Sequence, residues 1–235
     1  MPPTGSRVYE TFTHREAVLR VCSDRFDAVA AEIIRQRQIL EDHVGRHPEF
    51  QRSLVPIAMH PDTPEVAQRM VFAADRVGVG PMAAVAGTMA QLAAEAAIAA
   101  GAREAVVDNG GDLYLQTVEP VTVGLGTGTN RLADRLAFHV TPQETPISIC
   151  SSSGRMGHSM SLGQCDLATV VAKDAALADA AATQAANLVR TAEDVDAALE
   201  RIAGIDGILG VLIVKDDRIG LAGRLPQLVR ARPAD

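Results

Sequence analysis

The pattern of apolar and polar positions predicts two short strands near the N-terminus, followed by a long amphipathic helix. The stretches VYETF and EAVLRVCS favour β-structure and lie close together in the chain, as paired strands do. Asp24 stands at the predicted N-cap of the helix, where a side-chain oxygen accepts a hydrogen bond from a free backbone N–H. The helix is expected to end near GRHPEF, because Gly45 and Pro48 disfavour its continuation. Its predicted apolar face consists of Phe26, Ala30, Ile33, Leu40 and Val44.

Two further helices are predicted between residues 63 and 101. In TPEVAQRMVFAADRVG, Thr63 is expected to cap the helix, Pro64 to occupy its first position and Gly78 to follow its end. Residues 81–101 form a second predicted helix with a surface of very small side chains, which permits close approach of another backbone or a ligand. A tightly packed core helix has the same composition, so both interpretations stay open.

The rest of the chain has mostly strand-like patterns. EAVVD, DLYLQ, VTVGLG, LAFHV and ISICS are short apolar runs separated by Gly, Pro and Asp. LATVVA is typical of a buried strand and leads into the helix DAALADAAATQAANLV. Thr191 and Asp194 have the spacing of a capping box for another helix, and GVLIVKDDRIGLAG predicts a closing hairpin. Because helices and strands come in blocks, we expect a layered α+β fold with mixed or antiparallel sheets and packed helices, in one domain over residues 1–235.

Composition and charge limit the classes of partner. The chain has 22 Lys and Arg against 29 Asp and Glu, a formal net charge of −7, and only 3% aromatic residues. Neither a nucleic-acid surface nor a base-stacking platform is therefore expected. The three cysteines, Cys22, Cys150 and Cys165, have no CxxC or CxxH spacing, which favours reduced thiols over disulfides or a zinc site.

The sequence also predicts a cytoplasmic protein without a membrane partner. Its N-terminal stretch has no apolar core of the kind that a secretory signal carries. The longest alanine-rich run, residues 82–101, contains Gln91 and Glu95, which makes it a poor membrane span.

Three motifs that suggest an activity do not match on closer comparison. GLGTGTN has Thr129 where a dinucleotide fingerprint has its third glycine, and the segment after it is strand-like. GHSMS has Ser161 where a nucleophile elbow has glycine. His43 and His47 lie one turn apart but lack the glutamate of a metalloprotease, so we expect solvated side chains on a helix face.

Two other stretches are candidates for a binding site. In VVDNGGDLYL, adjacent glycines permit positive φ and bring bare backbone N–H groups close to a ligand, although an ordinary hairpin turn accounts for the same letters. Asp179 and Thr183 are four residues apart on a predicted helix, so their oxygens project from one face among alanines. A carboxylate and a hydroxyl are oxygen ligands of the kind that Mg²⁺ takes together with substrate phosphates, and an exposed aspartate with a back-bonded threonine is the alternative.

The order of these stretches resembles the ApbE superfamily of flavin transferases, which attach FMN from FAD to protein threonines. The resemblance covers roughly residues 78–190 and rests on VVDNGGDLYL, then ICSSSGRMGHS, then ATVVAKDAALADAAATQAANLV. The corresponding family motifs are Asn-x-Gly-Gly-Asp, Ser-Thr-Ser-Gly followed by a histidine segment, and Ala-Asp-Ala-x-x-Thr. The stretches ILEDHVGRHPEF and SLVPI look more like the short, uncharacterised ApbE-related proteins of bacteria and archaea.

The resemblance implies roles for particular residues. It places the turn against FAD or FMN, makes Asp179 and Thr183 ligands of Mg²⁺, and makes Asp179 and His158 the candidates for catalysis. A loop histidine that only donates or accepts a hydrogen bond is the alternative for His158. The residues implied to contact the flavin nucleotide are Asn109, Gly110, Gly111, Asp112, Ser152, Ser153 and Gly154.

The departures from the family pattern leave more than one function open. Ala86 stands where the transferases have lysine, Gln91 replaces a helix aspartate, and SMSLG follows His158 in place of Asp-Pro-x-Thr-Gly. The first hypothesis is a Mg²⁺-dependent transferase or hydrolase that uses FAD, with a flavoprotein as a candidate acceptor. The second is a non-catalytic flavin or small-molecule binding module accessory to a redox system, and the third is an interaction domain with an empty cleft. The flat small-residue helices also make a homodimer a reasonable expectation.

Overall fold

The computed structural model describes residues 7–126, 130–154 and 163–231, and most of its strands form one large sheet. The strands are β1 (Glu10–His14), β2 (Ala17–Ser23), β3 (Ala105–Asn109), β4 (Asp112–Gln116), β5 (Val121–Gly124), β6 (Leu136–Val140), β7 (Ile147–Ser152), β8 (Leu167–Ala172), β9 (Ile208–Lys215), β10 (Arg218–Gly223) and β11 (Gln227–Arg230). Eight strands pair in the order β1-β2-β3-β4-β7-β8-β9-β10, and every neighbouring pair is antiparallel.

A second sheet has three strands in the order β11-β6-β5. Strands β5 and β6 were predicted from their apolar runs, whereas β11 was not. Its four residues are half-buried or exposed, so the stretch lacks the apolar alternation from which a strand is predicted.

The helices are α1 (Phe26–Arg46), the single turn α2 (Glu49–Arg52), α3 (Glu65–Val77), α4 (Val85–Ala99), α5 (Ala175–Leu188) and α6 (Val195–Ala203). A short 3₁₀ turn, Pro81–Ala84, leads into α4. The predicted α+β class is therefore confirmed, with antiparallel pairing in both sheets among the described residues.

The large sheet lies between a helical layer and the small sheet, as the alternation of its side chains dictates. In β9, Val211 and Ile213 belong to the core beneath α3, α5 and α6, while Leu212 and Val214 pack with the small sheet. Phe138 of β6 is fully buried in that second core. Both faces of the central strands are thus covered, which accounts for their nearly continuous apolar runs.

Two predicted helix caps are wrong by one residue. Helix α1 begins after Arg25, and Ser23 Oγ accepts a hydrogen bond from the Arg25 backbone N–H, so Asp24 is not the cap. Helix α3 has Pro64 at its N-cap. The Thr63 hydroxyl does not cap the helix, since it accepts a hydrogen bond from the His60 backbone N–H in the preceding loop. Gly78 does end α3, with a left-handed φ of 87°.

The prediction that His43 is solvated is wrong. Its side chain is 1% exposed and packs edge-on against Phe50, with ring centroids 5.1 Å apart. Helix α1 therefore buries Val29, Ile33, Gln36, Leu40 and His43, a face that a purely apolar count does not recover. His47, one turn later, is half-buried.

The small side chains of α4 allow close packing within the chain. An ideal Cβ on Gly87 would lie 2.4 Å from the Ala175 carbonyl oxygen, so only glycine lets α4 approach α5 this closely. Among the described residues, Pro81–Ala99 is apolar and long enough to span a membrane, with a mean hydropathy of 1.4, but 50% of it is buried in the protein. A packed core helix passes the same test, so this is weak evidence for a membrane span.

Candidate functional site

The glycine pair predicted to approach a ligand forms the turn between β3 and β4. Gly110 and Gly111 have φ of 70° and 103°, and an ideal Cβ on either would meet nothing within 4 Å. The hairpin interpretation is confirmed, because Asn109 pairs with Asp112 across the turn. A Cβ on either glycine would point into open space. The turn is therefore both an ordinary hairpin and a stretch of bare backbone that a ligand can approach.

Side chains at the base of this turn fix its position. Asp108 Oδ1 accepts a hydrogen bond of 2.9 Å from the Gly111 N–H, and Asn109 Nδ2 donates to the Ala86 carbonyl oxygen at 3.1 Å. When VVDNGGDLYL is aligned with the motif Asn-x-Gly-Gly-Asp, Asp108 stands where the motif has its asparagine. The turn is therefore attached to the start of α4.

Asp112 is a buried carboxyl at the start of β4. It lies opposite Cys150 of β7, on the helical face of the large sheet, and is 9% exposed. Within the described part of the chain, its Oδ1 has no hydrogen-bond partner. Burial raises the pKa of Asp112 well above its usual range, and the negative charge of Asp179 raises it further.

Asp179 lies on α5 and is 8% exposed, so the alternative of a solvated aspartate does not hold. Its Oδ2 accepts a hydrogen bond of 2.8 Å from the Gly87 backbone N–H in the first turn of α4. Burial raises the pKa of Asp179 to about 7, against the lowering effect of the backbone N–H groups of Gly87 and Ala86. This carboxyl can therefore change protonation near neutral pH.

Two hydroxyl groups accompany these carboxyls. Thr183 follows Asp179 by four residues on α5, and its side chain is buried too. Ser152 ends β7, two residues beyond Cys150, and its buried Oγ has no hydrogen-bond partner among the described residues. Unpaired buried oxygens are costly, so Ser152 Oγ and Asp112 Oδ1 are places where a ligand could form bonds.

The remaining predicted residues lie after β7. Ser153 is buried, with 4% of its surface exposed. The Gly154 N–H donates to the Cys165 carbonyl oxygen at 2.8 Å, and an ideal Cβ there would lie 2.4 Å from the Gly163 carbonyl oxygen. Glycine at 154 is thus required by contact between two backbone segments. His158 lies outside the described residues.

The oxygen atoms at the site are of the kind that Mg²⁺ binds. Asp112 and Asp179 carry carboxylates, and Ser152 and Thr183 carry hydroxyls, all buried or half-buried. Mg²⁺ prefers such oxygen ligands and commonly shares them with substrate phosphates. A divalent cation would also offset the repulsion between the two carboxylates, so the residues present fit this ion.

Sequence reasoning missed two contributors to the site. Gln91, for which the sequence suggested no role at the site, accepts a hydrogen bond of 2.7 Å at Oε1 from the Ala175 N–H at the start of α5. Cys150 lies beside Asp112, and its thiol pKa is raised well above the usual range by burial and by Asp112. The alternation of ISICSS places Cys150 on the same face as Ser148 and Ser152, which is the signal that could have identified it.

The fold matches the flavin transferase ApbE of Vibrio cholerae with a TM-score of 0.60 and 13% identity, over 92% of this chain and 96% of that chain. It matches the flavinyl transferase ApbE of Pseudomonas stutzeri with a TM-score of 0.57 and 12% identity, over 92% and 94% of the two chains. The protein thus has an ApbE-like fold.

The profile of the family described as "AbpE bacteria" matches residues 9–216. A UPF0280 protein of Methanosarcina barkeri (strain Fusaro / DSM 804) is 38% identical, covering 97% of this chain and 92% of its own length. A UPF0280 protein of Methanocella arvoryzae (strain DSM 22066 / NBRC 105507 / MRE50) is 40% identical, covering 98% and 94%. The chain belongs to this AbpE-related family.

Proposed function

We infer that the chain binds a flavin nucleotide, FAD or FMN, together with Mg²⁺, at the site formed by the β3–β4 turn, the end of β7 and helix α5. The observation that carries this proposal is the pair of buried carboxyls, Asp112 and Asp179. Each is less than a tenth exposed, and the charge of Asp179 raises the pKa of Asp112. Two buried like charges persist only when a proton, a cation or hydrogen bonds compensate them.

A cation shared with a diphosphate accounts for this arrangement. Asp112 Oδ1 is unpartnered within the described residues, and Asp179 keeps one oxygen besides the one bonded to Gly87. The proposed ligands of Mg²⁺ are therefore Asp112, Asp179 and Thr183, and the phosphates of the nucleotide supply further oxygens. Asp112 was expected to contact only the nucleotide, and its proximity to Asp179 makes it a metal ligand in this proposal.

The nucleotide itself would contact groups around the metal. Bare backbone at Gly110 and Gly111 permits close approach of a flat ring or a phosphate, since no side chain intervenes. Ser152 Oγ is free to donate to a phosphate oxygen. The similarity of the fold to the flavin transferase ApbE of Vibrio cholerae supports flavin as the nucleotide.

For an enzyme at this site, the reaction is cleavage of the FAD pyrophosphate. An acceptor hydroxyl or water forms a bond to the FMN phosphorus, the bond to the AMP oxygen breaks, and the nucleophile loses its proton. Bound Mg²⁺ supplies charge stabilisation for the pyrophosphate. In this proposal Asp179 binds Mg²⁺ as a carboxylate, so the proton of the nucleophile passes to bulk water. A flavoprotein acceptor belongs to this version of the proposal.

Titration calorimetry with FAD tests the binding proposal. We expect saturable binding that requires Mg²⁺ in the unmodified protein, and a loss of at least tenfold in affinity for Asp179→Asn. Asp75→Asn, at an exposed position of α3, is the control and should bind as the unmodified protein does. Binding that is absent, or that is unchanged without Mg²⁺ and in Asp179→Asn, would contradict the proposal.

A flavin-binding module without turnover is the second candidate. Ala86 lacks the lysine ammonium of the transferases, and Gln91 is occupied in capping α5. The two candidates differ in one product: incubation with FAD and Mg²⁺ releases AMP only from the enzyme, which chromatography of the mixture detects. Cytoplasmic location and a homodimer stay predictions from the sequence.

A further inference from the structure

A cluster of histidines and carboxylates lies at the C-terminal end of α1, distinct in its residues from the site above. His43 lies in the last turn of α1 and His47 directly follows the helix, and their ring centroids are 4.7 Å apart. His60 and Asp62 come from the loop before α3, and the His60 ring stacks on His47 at 4.0 Å. The loop thus packs against the end of the helix, and the contact between them includes three imidazole rings.

Three of these side chains bring one possible ligand atom each close to the other two. One ring nitrogen of His43, one of His47 and one carboxylate oxygen of Asp62 lie within 4.8 Å of one another. His47 Nε2 and Asp62 Oδ1 are 3.2 Å apart. Tetrahedral ligands about 2.1 Å from a zinc ion are separated by about 3.4 Å, so this pair already has the spacing of two ligands.

The state of His43 is a second and independent observation. Its side chain is 1% exposed, and its Nδ1 has no hydrogen-bond partner among the described residues. A buried polar atom without a partner costs free energy, and most buried polar groups in proteins are paired. A metal ion bound through Nδ1 would give this atom the partner that it lacks among the described residues.

His47 has a carboxylate near each of its ring nitrogens. Its Nδ1 faces Glu49 Oε1 at 3.7 Å, while its Nε2 faces Asp62. Glu49 Oε1 also accepts a hydrogen bond from His60 Nε2 at 3.0 Å. A carboxylate on the far nitrogen orients a ligating histidine, so Glu49 and His60 form a supporting layer around His47. Arg46 pairs with Asp62 Oδ2, which leaves Oδ1 directed at His47.

We propose that His43, His47 and Asp62 bind a divalent transition-metal ion of the Zn²⁺ type and thereby attach the loop before α3 to the end of α1. Two imidazole nitrogens and one carboxylate oxygen form a ligand set that zinc accepts, with water in the fourth position. Nitrogen ligands favour this class of ion over Mg²⁺. The proposal does not depend on the flavin site, since the two share no residue.

The test begins with protein freed of metal by a chelator and uses Zn²⁺ alone as the probe in titration calorimetry. We expect one Zn²⁺ per chain and a rise in thermal midpoint on binding. His47→Gln and Asp62→Asn should abolish or strongly weaken binding, and both positions are less buried than His43, so these variants are expected to fold. His14→Gln, on β1, is the matched histidine control and should bind as the unmodified protein does.

His60→Gln distinguishes the supporting layer from the ligands. We expect about tenfold weaker Zn²⁺ binding, the range seen when a partner of a ligating histidine is removed. No binding at micromolar Zn²⁺ in the unmodified protein, or unchanged binding in both His47→Gln and Asp62→Asn, would overturn the proposal. Abolition by His60→Gln with full binding in Asp62→Asn would also overturn it, because the ion would then lie with Glu49. Binding of FAD measured in parallel should not change in any of these variants.

Discussion

The carboxylate of Asp179 accepts a hydrogen bond of 2.8 Å from the backbone N–H of Gly87. Helix α4 has no side-chain cap of its own residues, so a residue of α5 satisfies one of its free N–H groups. In return, Gln91 of α4 accepts a hydrogen bond from Ala175 at the start of α5. This reciprocal capping holds the proposed metal ligand between two helices, and four predictions follow from the geometry around it.

Replacing Gly87 should destabilise the protein. In Gly87→Ala the new Cβ would lie 2.4 Å from the Ala175 carbonyl oxygen and 2.9 Å from Asp179 Cβ, so α4 and α5 must separate. We expect a loss of about 2 kcal/mol in the free energy of unfolding, measured by urea denaturation. Gly45→Ala is the control, because a Cβ there meets nothing within 4 Å. Alanine at this exposed helical position should stabilise the protein by about 0.5–1 kcal/mol. Equal stability of the two variants would contradict the packing described here.

The stability of the metal-free protein should fall as pH rises from about 4 to about 7. The pKa of Asp179 is 3.8 in its ordinary state and about 7 in the fold. Between these values the folded state binds more protons than the unfolded chain, so raising the pH favours unfolding. The slope contributed by this group is at most about 1.4 kcal/mol per pH unit, and Asp112 contributes in the same direction.

Asp179→Asn is the comparison for this pH dependence, since its amide oxygen still accepts from Gly87. The variant should show a flatter profile and greater stability than the unmodified protein at pH values above about 7, as read from denaturation midpoints. Parallel profiles for the two proteins would show that Asp179 does not carry the raised pKa.

Asp112→Asn should change stability and binding in opposite directions. Removing one of two buried carboxylates relieves their repulsion, so the metal-free variant should be more stable at pH 8 by roughly 1 kcal/mol or more. The same change removes a proposed Mg²⁺ ligand, and Mg²⁺-dependent FAD affinity should fall at least tenfold. Denaturation and calorimetry on one preparation measure both effects. A variant that is more stable and still binds normally would remove Asp112 from the proposed metal site.

Gln91→Ala should cost about 1 kcal/mol of stability, the usual value of a helix cap. The Ala175 N–H then has no side-chain acceptor at the start of α5. Gln184→Ala, on α5 itself, is the control and should change stability less, because the hydrogen bond that Gln184 receives from Asn187 within the described part of the chain is long, at 3.5 Å. The same loss in both variants would indicate that the cap from Gln91 contributes nothing specific.

Strand and helix positions were largely predictable, because burial leaves a periodic signal in the sequence. LATVVA is buried on both faces and is β8, and the glycine pair in VVDNGGDLYL is the β3–β4 turn. Helix caps were less predictable, because the hydroxyls of Ser23 and Thr63 accept hydrogen bonds from backbone N–H groups of their own loops. The burial of the His43 side chain also depends on its packing against Phe50, a tertiary contact that no local sequence pattern reveals.

The candidate site was predicted in part. The spacing of Asp179 and Thr183 placed both on one helical face, as observed. The approach of Asp179 to Asp112 brings together two residues that are 67 positions apart in the sequence, on α5 and β4, and depends on the order of strands in the large sheet. Sequence alone gives neither this order nor the bond from Gly87 that occupies one oxygen of Asp179.

The most direct test of the central claim is anomalous diffraction from crystals of the protein grown with FAD and Mn²⁺, an ion that takes the same oxygen ligands as Mg²⁺. We expect an anomalous peak within coordination distance of Asp112 and Asp179 oxygens, with phosphate density beside it. FAD bound elsewhere, or nucleotide at the turn with no peak between these carboxylates, would contradict the proposed Mg²⁺ and flavin site.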